Sequence, residues 1–335
     1  MSTAAIGKPE PGTPVAVAAQ APSASVHITL GACSLIMLVF CIVAAPSGAL
    51  HFSLPKIETA ILLVIPLLLP PALLHERKAW RYRDAALMLP WTLVIALLVT
   101  QVAPSATTHA FPLRDMLWRR IDEHLGMRIP DIMALVARHP VIDRLSRYSY
   151  AFLLHPLILC AIFLPVFLGK KEAAQRFILT NAFGFVLAMP CMLFLPAVGP
   201  WVGWHFAATP LQQACQASIE SLRSGAISGD DSFGGIICFP SFHVFWALVS
   251  AYALLSMRFL KYPAILAAGL ITLSTITTGW HYGIDVIGGI LLAVIGTVLA
   301  DWTAGIGDGS AGGQHLPRAK PIVTPAESIH QISAS

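Results

Sequence analysis

Residues 238–243 read Cys238-Phe239-Pro240-Ser241-Phe242-His243, and they open an apolar run, Val244 to Met257, that carries no charged side chain. A second stretch, Gly279-Trp280-His281-Tyr282-Gly283-Ile284-Asp285, follows about forty residues on and opens another apolar run to Ala300. Each run suits a span of roughly 18 to 20 residues, and the segment between them is long enough to cross a bilayer and return. Both histidines are therefore expected at the same membrane face. Titratable groups at span ends that face one another are costly to keep and mark a functional site.

The chemistry follows from spacing. On a helix His281 and Asp285 stand one turn apart on one face, so the carboxylate can hold one ring nitrogen and leave the other free. An imidazole with a fixed tautomer is a nucleophile or general base, and His243 from the neighbouring helix can protonate a leaving group. Pro at the first helical position would point the amides of Ser241, Phe242 and His243 at an anion such as phosphate, with the Ser241 hydroxyl as a further donor. Set against this, a lone interfacial histidine is commonly a polar anchor, and H-x-x-x-D recurs by chance. What favours function is the occurrence of both motifs, in order, one membrane round trip apart.

Phe239-Pro240-Ser241-Phe242-His243, then Ser274-Thr275, then His281 with Asp285, resembles motifs two and three of the type 2 phosphatidic acid phosphatase superfamily. Within it the pattern is similar to the inositol phosphorylceramide synthase branch. The resemblance implies that His281 is the nucleophile, Asp285 its orienting partner and His243 the general acid. The pattern departs from the phosphatases at Phe242, where they have Gly, and at Ser274-Thr275, where they have Ser-Arg. The Lys and Arg-Pro of motif one are not visible; Leu195-Pro196-Ala197-Val198-Gly199-Pro200 stands there without a cation. Fewer cations suit a phosphodiester better than a doubly charged monoester, which favours headgroup transfer over hydrolysis.

Composition sets the class. The chain has 335 residues, 56% hydrophobic and 11% charged, with a net charge of +4 and a mean hydropathy of +0.72. It reads as an all-α polytopic membrane protein of about eight transmembrane helices, and its charge is too small to point to nucleic acid. The first positive residue is Lys8, with no basic segment before the first apolar run, which reads as a retained span. Residues 1–25 and 305–335 read as disordered tails. Spans are expected near 26–50, 57–74 and 85–103, forming an N-terminal region 26–103. Five more are expected near 150–168, 177–195, 240–257, 262–278 and 284–300, forming a catalytic region 150–304 with a six-helix core.

The connection 104–149 reads as interfacial amphipathic helices, with Leu117, Ile121 and Leu125 in one stripe and Leu135, Val136 and Ile142 in another. Arg144 and Arg147 either snorkel there or reach the phosphate in place of the missing cations. Asp230 and Asp231 read either as a solvated turn or as contacts to a polyol or cationic headgroup. Cys215 and Cys238 fall on the side expected to be oxidising, and a disulfide between them is expected. The other cysteines read as small apolar residues.

Basic residues in short loops (Arg77, Lys78, Arg81, Arg83; Lys170, Lys171, Arg176; Arg258, Lys261) place those loops and both termini in the cytoplasm. Only Lys56 and Arg223 oppose them once the arginine-rich 104–149 is set aside, so the histidines face outward, to the periplasm of a bacterium. The expected partners are a membrane phospholipid donor and a lipid alcohol acceptor. No cofactor or metal is expected, because no carboxylate cluster or third ligand of obvious spacing accompanies the histidines. Two other readings stand: a lipid phosphate phosphatase using water, and a membrane transporter or scaffold. Mid-span charges would mark a transporter, and the ionisable residues cluster instead at span ends.

Overall fold

The computed structural model describes residues 24–44, 85–109, 111–225 and 238–305. The expected span at 57–74, the loop arginines before Ala85, Asp230, Asp231 and nearly all of both tails lie outside these residues. Among the described residues the secondary structure is entirely helical, as backbone buried in lipid must be when no barrel forms.

The elements are α1 (Ala24–Ala44), α2 (Met88–His109), α3 (Asp115–His124), α4 (Ile129–Ala137), α5 (Pro140–Tyr148), a π-turn (Ser149–Leu153) and α6 (Leu154–Phe167). They continue with α7 (Lys171–Phe194), α8 (Pro200–Gly203), α9 (Pro210–Ser224), α10 (Phe242–Leu254), α11 (Lys261–Thr277) and α12 (Gly283–Ala304). Among the described residues five helices are long and apolar enough to cross a membrane: α1, α2, the continuous 140–167 segment, α7 and α12. Their outer faces carry exposed Leu35, Val43, Val294 and Val298, as lipid-facing helices do. The chain is an integral membrane protein.

The helix α7 is the hub, packing against α1, α2, α6, α10 and α12. Its Asn181 side chain accepts from Trp246 Nε1 and donates to the Phe177 carbonyl, so a polar group inside the bundle is satisfied. At the end remote from the histidines, Arg176 pairs with Asp301 and lies over the Tyr252 ring. There Trp91 also donates to His27, joining the starts of α1 and α2.

Two features differ from the sequence expectation. The first is α5, which is not a separate surface helix: it runs through the π-turn into α6. Pro156 lacks an N–H for the Phe152 carbonyl and crowds it, and the wider turn just upstream relieves that clash. The second is the polar face of α3. Leu117 and Leu125 are exposed, as an amphipathic surface helix requires, but Asp115, Trp118 and Asp122 on the other side are buried. Its inward face is acidic because backbone amides await it there.

The glycines of α12 act as the sequence suggests. A Cβ on Gly289 would lie 2.5 Å from the Ser241 carbonyl oxygen and 3.0 Å from Val244 Cβ, so α12 meets the start of α10 at backbone contact. Gly289→Val is expected to force these helices apart and to destabilise the protein by about 1–3 kcal/mol, read as a lower melting temperature in detergent. An unchanged melting temperature would mean the contact is loose.

Candidate active site

Three helix ends converge at the site. The first is the end of α11, where Gly279 adopts φ 72° just past the helix. Its N–H donates to the Ile276 carbonyl and the Trp280 N–H to that of Thr275, a Schellman closure that only glycine accepts without strain. The His281 N–H also donates to the Thr275 carbonyl, at 3.1 Å. The second is the start of α12, where the Asp285 carboxylate reaches back to the Tyr282 N–H at 2.8 Å. The third is the start of α10, capped by Ser241, whose own N–H donates to the Asp285 carbonyl at 3.0 Å. The Phe239–Pro240 peptide preceding it is cis.

His281 is 3% exposed and Asp285 fully buried. The His281 Nδ1 lies 3.1 Å from the Cys238 carbonyl oxygen and 3.3 Å from Asp285 Oδ2. Both partners are acceptors, so Nδ1 carries the proton and Nε2 holds the free lone pair. Burial holds the His281 imidazole down to about 4, with the Cys238 carbonyl opposing, so the ring is neutral at physiological pH. The Cys238 thiol also donates to Asp285 Oδ2, at 3.0 Å. That oxygen thus gathers three donors, while Asp285 Oδ1 has no hydrogen-bond partner among the described residues.

His243, in the first turn of α10, faces His281 with ring centroids 5.8 Å apart. It stacks on Tyr150 at 4.4 Å, and Tyr150 stacks in turn on Trp280 at 5.5 Å. The π-turn supplies Tyr150, so the local widening of the helix carries the wall of the site. Two imidazoles a phosphoryl group apart, one neutral and oriented by a carboxylate, can attack phosphorus and protonate a leaving oxygen.

A family model of the PAP2 superfamily matches residues 115–299, from the first residue of α3 into the last helix. The chain belongs to the PAP2 superfamily. No curated protein and no solved structure matches it. Membership makes this PAP2 protein an enzyme of phosphatase or phosphotransferase type, acting on lipid phosphates.

The match begins at Asp115, and the structure gives a reason for α3 to belong with the helices that carry the two histidines. Asp115 accepts the N–H groups of Val198 and Gly199 and the Tyr282 hydroxyl. Asp122 accepts the N–H groups of Gly283 and Ile284, at 2.8 and 2.9 Å, one on each oxygen. It is thus a cap for α12 supplied from another helix, a negative charge at the positive helix end that carries Asp285. The D-x6-D spacing at Asp115 and Asp122, two turns apart on one face, was the available sequence signal.

Burial raises the Asp122 carboxyl to about 6, with the two amides opposing. Below that pH one oxygen gains a proton and ceases to accept, while His281 stays neutral. With a phosphodiester substrate, which does not titrate there, kcat/KM is expected to fall as pH drops through about 6. The same limb should vanish in Asp122→Asn, whose amide has no proton to gain. A limb unmoved in that variant would assign the titration elsewhere.

Several sequence expectations for this PAP2 site are corrected. Helix α10 begins at Phe242, so Pro240 precedes the cap. The Ser241 hydroxyl accepts the Val244 N–H and is fully buried, a structural cap and not a phosphate donor. The Phe242 ring packs on Phe185 and Trp246 in the core and does not line the site. Arg147 Nε donates to both oxygens of Asp143 on the exposed face of α5, and Arg144 is exposed on the same helix; no contact among the described residues brings either to the histidines. No disulfide joins Cys215 and Cys238. They sit in separate apolar clusters, Cys215 with Val198, Trp201 and Ile219, and Cys238 with Trp118, Ala197 and Tyr282, while the Cys238 thiol points to Asp285. The sequence also gave no hint that Cys238, His281 and Asp285 gather three ligand-type atoms within 4.8 Å of one another.

Proposed function

We propose that this enzyme moves a phospho-headgroup from a membrane phospholipid to a lipid alcohol through a phosphohistidine at His281, in the manner of inositol phosphorylceramide synthases. The observation that carries this is the buried His281 ring, with Nδ1 held between the Cys238 carbonyl and Asp285 and with His243 facing it at 5.8 Å.

In the first step the His281 Nε2 lone pair forms a bond to phosphorus, the ester bond to the donor's lipid alcohol breaks, and His243 gives its proton to the departing oxygen. The anionic group between the rings offsets the cost of charging His243 in this buried setting. In the second step the neutral His243 takes the proton of the acceptor hydroxyl, whose oxygen bonds phosphorus as the N–P bond breaks. Asp285 balances the positive charge that the phosphorylated ring carries in between. An aromatic, largely buried site lined by Tyr150 and Trp280 favours a lipid alcohol over water as acceptor. The outward-facing orientation inferred from the loop charges would place this chemistry at the periplasmic face of a bacterial inner membrane.

The test compares membrane lipids by mass spectrometry between cells making the intact chain and cells making His281→Ala. A phosphodiester lipid present only with the intact chain is expected, and its mass names headgroup and acceptor together. Disappearance of a phosphomonoester lipid with no new diester would replace transfer by hydrolysis. Identical profiles would overturn both.

A further inference from the structure

We infer that Cys238, His281 and Asp285 form an inhibitory site for a soft divalent cation such as Zn2+, which switches the nucleophile off by capturing its Nδ1. The inference rests on His281 being the nucleophile for its functional consequence, but the site itself rests on geometry alone.

The Cys238 Sγ, the His281 Nδ1 and an Asp285 carboxylate oxygen all lie within 4.8 Å of one another. Sγ and Oδ2 are 3.0 Å apart, and Nδ1 and Oδ2 are 3.3 Å apart. The edges of a tetrahedral zinc polyhedron with nitrogen, oxygen and sulfur ligands measure roughly 3.4 to 3.6 Å, so the two edges to Oδ2 lie within roughly half an ångström of what the ion needs. A second observation points to a ligand at the same place: Asp285 is fully buried, yet its Oδ1 has no hydrogen-bond partner among the described residues. An orphaned carboxylate oxygen in a dry site is costly, and a cation that takes both oxygens of the carboxylate satisfies it. The donor set also fits by charge, since thiolate, carboxylate and neutral imidazole balance a doubly charged ion in a buried site. Thiolate and imidazole select zinc-like ions over Mg2+. Cys238 also lines a small cleft with Pro196, Ala197, Ile219, Arg223 and Phe239.

The chemical consequence is specific. With the ion on Nδ1, the proton that Nδ1 carried moves to Nε2, the ring stays neutral, and the lone pair needed to attack phosphorus is gone. The Cys238 thiol proton is released to solvent, one per ion bound. Coordination also takes over the hydrogen bonds by which Asp285 and the Cys238 carbonyl hold the ring.

The test uses the purified full chain in metal-free detergent buffer, with Co2+ as the spectroscopic probe. One Co2+ per chain is expected, with a thiolate-to-cobalt charge-transfer band that Zn2+ abolishes. The band should be lost in Cys238→Ser and kept in Cys215→Ser. Zn2+ should raise the melting temperature of the intact chain and of Cys215→Ser, a readout that does not depend on how Cys238→Ser folds. Zn2+ should inhibit turnover reversibly by chelator, with its midpoint raised at least about tenfold in Cys238→Ser relative to that variant's own rate. No thiolate band, a band that follows Cys215, or an equal zinc midpoint in Cys238→Ser would overturn the site. A Cys238-dependent band together with an active His281→Ala would keep the metal site and overturn the phosphohistidine mechanism instead.

Discussion

His281→Ala is expected to lose turnover by about 10^4- to 10^6-fold, the scale on which covalent nucleophiles fail when removed. His281 is placed by three separate constraints: its backbone N–H on Thr275, its ring Nδ1 between two acceptors, and its ring near that of His243. Truncation leaves the Schellman closure and the α12 cap intact, because those bonds use backbone and the carboxylates of Asp285 and Asp122. The variant should therefore fold and melt close to the intact chain while forming no acid-labile phosphoenzyme from radiolabelled donor. Residual turnover above about one hundredth of the intact rate would remove His281 from the covalent step.

Asp285→Asn should slow turnover by about 10^2- to 10^4-fold while preserving the fold, a split that separates electrostatics from packing. The amide oxygen can stand where Oδ2 now accepts from Tyr282, Cys238 and His281, and the amide nitrogen can stand where Oδ1 has no partner. The shape is kept, at the cost of one unpaired buried amide nitrogen with its two N–H donors, at least about 1–3 kcal/mol of stability. What is lost is the negative charge that balances the phosphorylated ring. The substitution is therefore expected to lower kcat with little change in KM, whereas a loosened loop would raise KM too. Equal kcat in the two proteins would show that Asp285 serves only as a cap.

How far the site could be read in advance differs from group to group. The two histidines and Asp285 were legible because the same short spacing rules operate in any helix, and a membrane round trip fixes which ends meet. Ser241 and Phe242 were misread because a Pro-Ser start predicts either a cap or an anion cradle, and only the position of Asp285, whose carbonyl holds the Ser241 N–H, settles which. The expected disulfide failed for a similar reason. Cysteine spacing says nothing about direction, and Cys238 turns its thiol to a carboxylate 47 residues away in sequence. Tyr150 and Trp280 were invisible as site walls because stacking depends on a π-turn that follows from Pro156 only once the helix is built.

The sequence by itself determined that the chain is helical and apolar enough to cross a membrane, and that two histidines and an aspartate stand at the ends of apolar runs. These are consequences of local composition and of periodicity, which act within a few turns of helix. The tertiary structure alone decided that α3 turns its aspartates inward. Leu117 and Leu125 could have faced the protein equally well by periodicity, but the unpaired amides of Val198, Gly199, Gly283 and Ile284 needed acceptors. In a water-poor site that need outweighs burying two leucines, because an unmet amide costs the full price of its desolvation whereas the leucines find lipid on the other side.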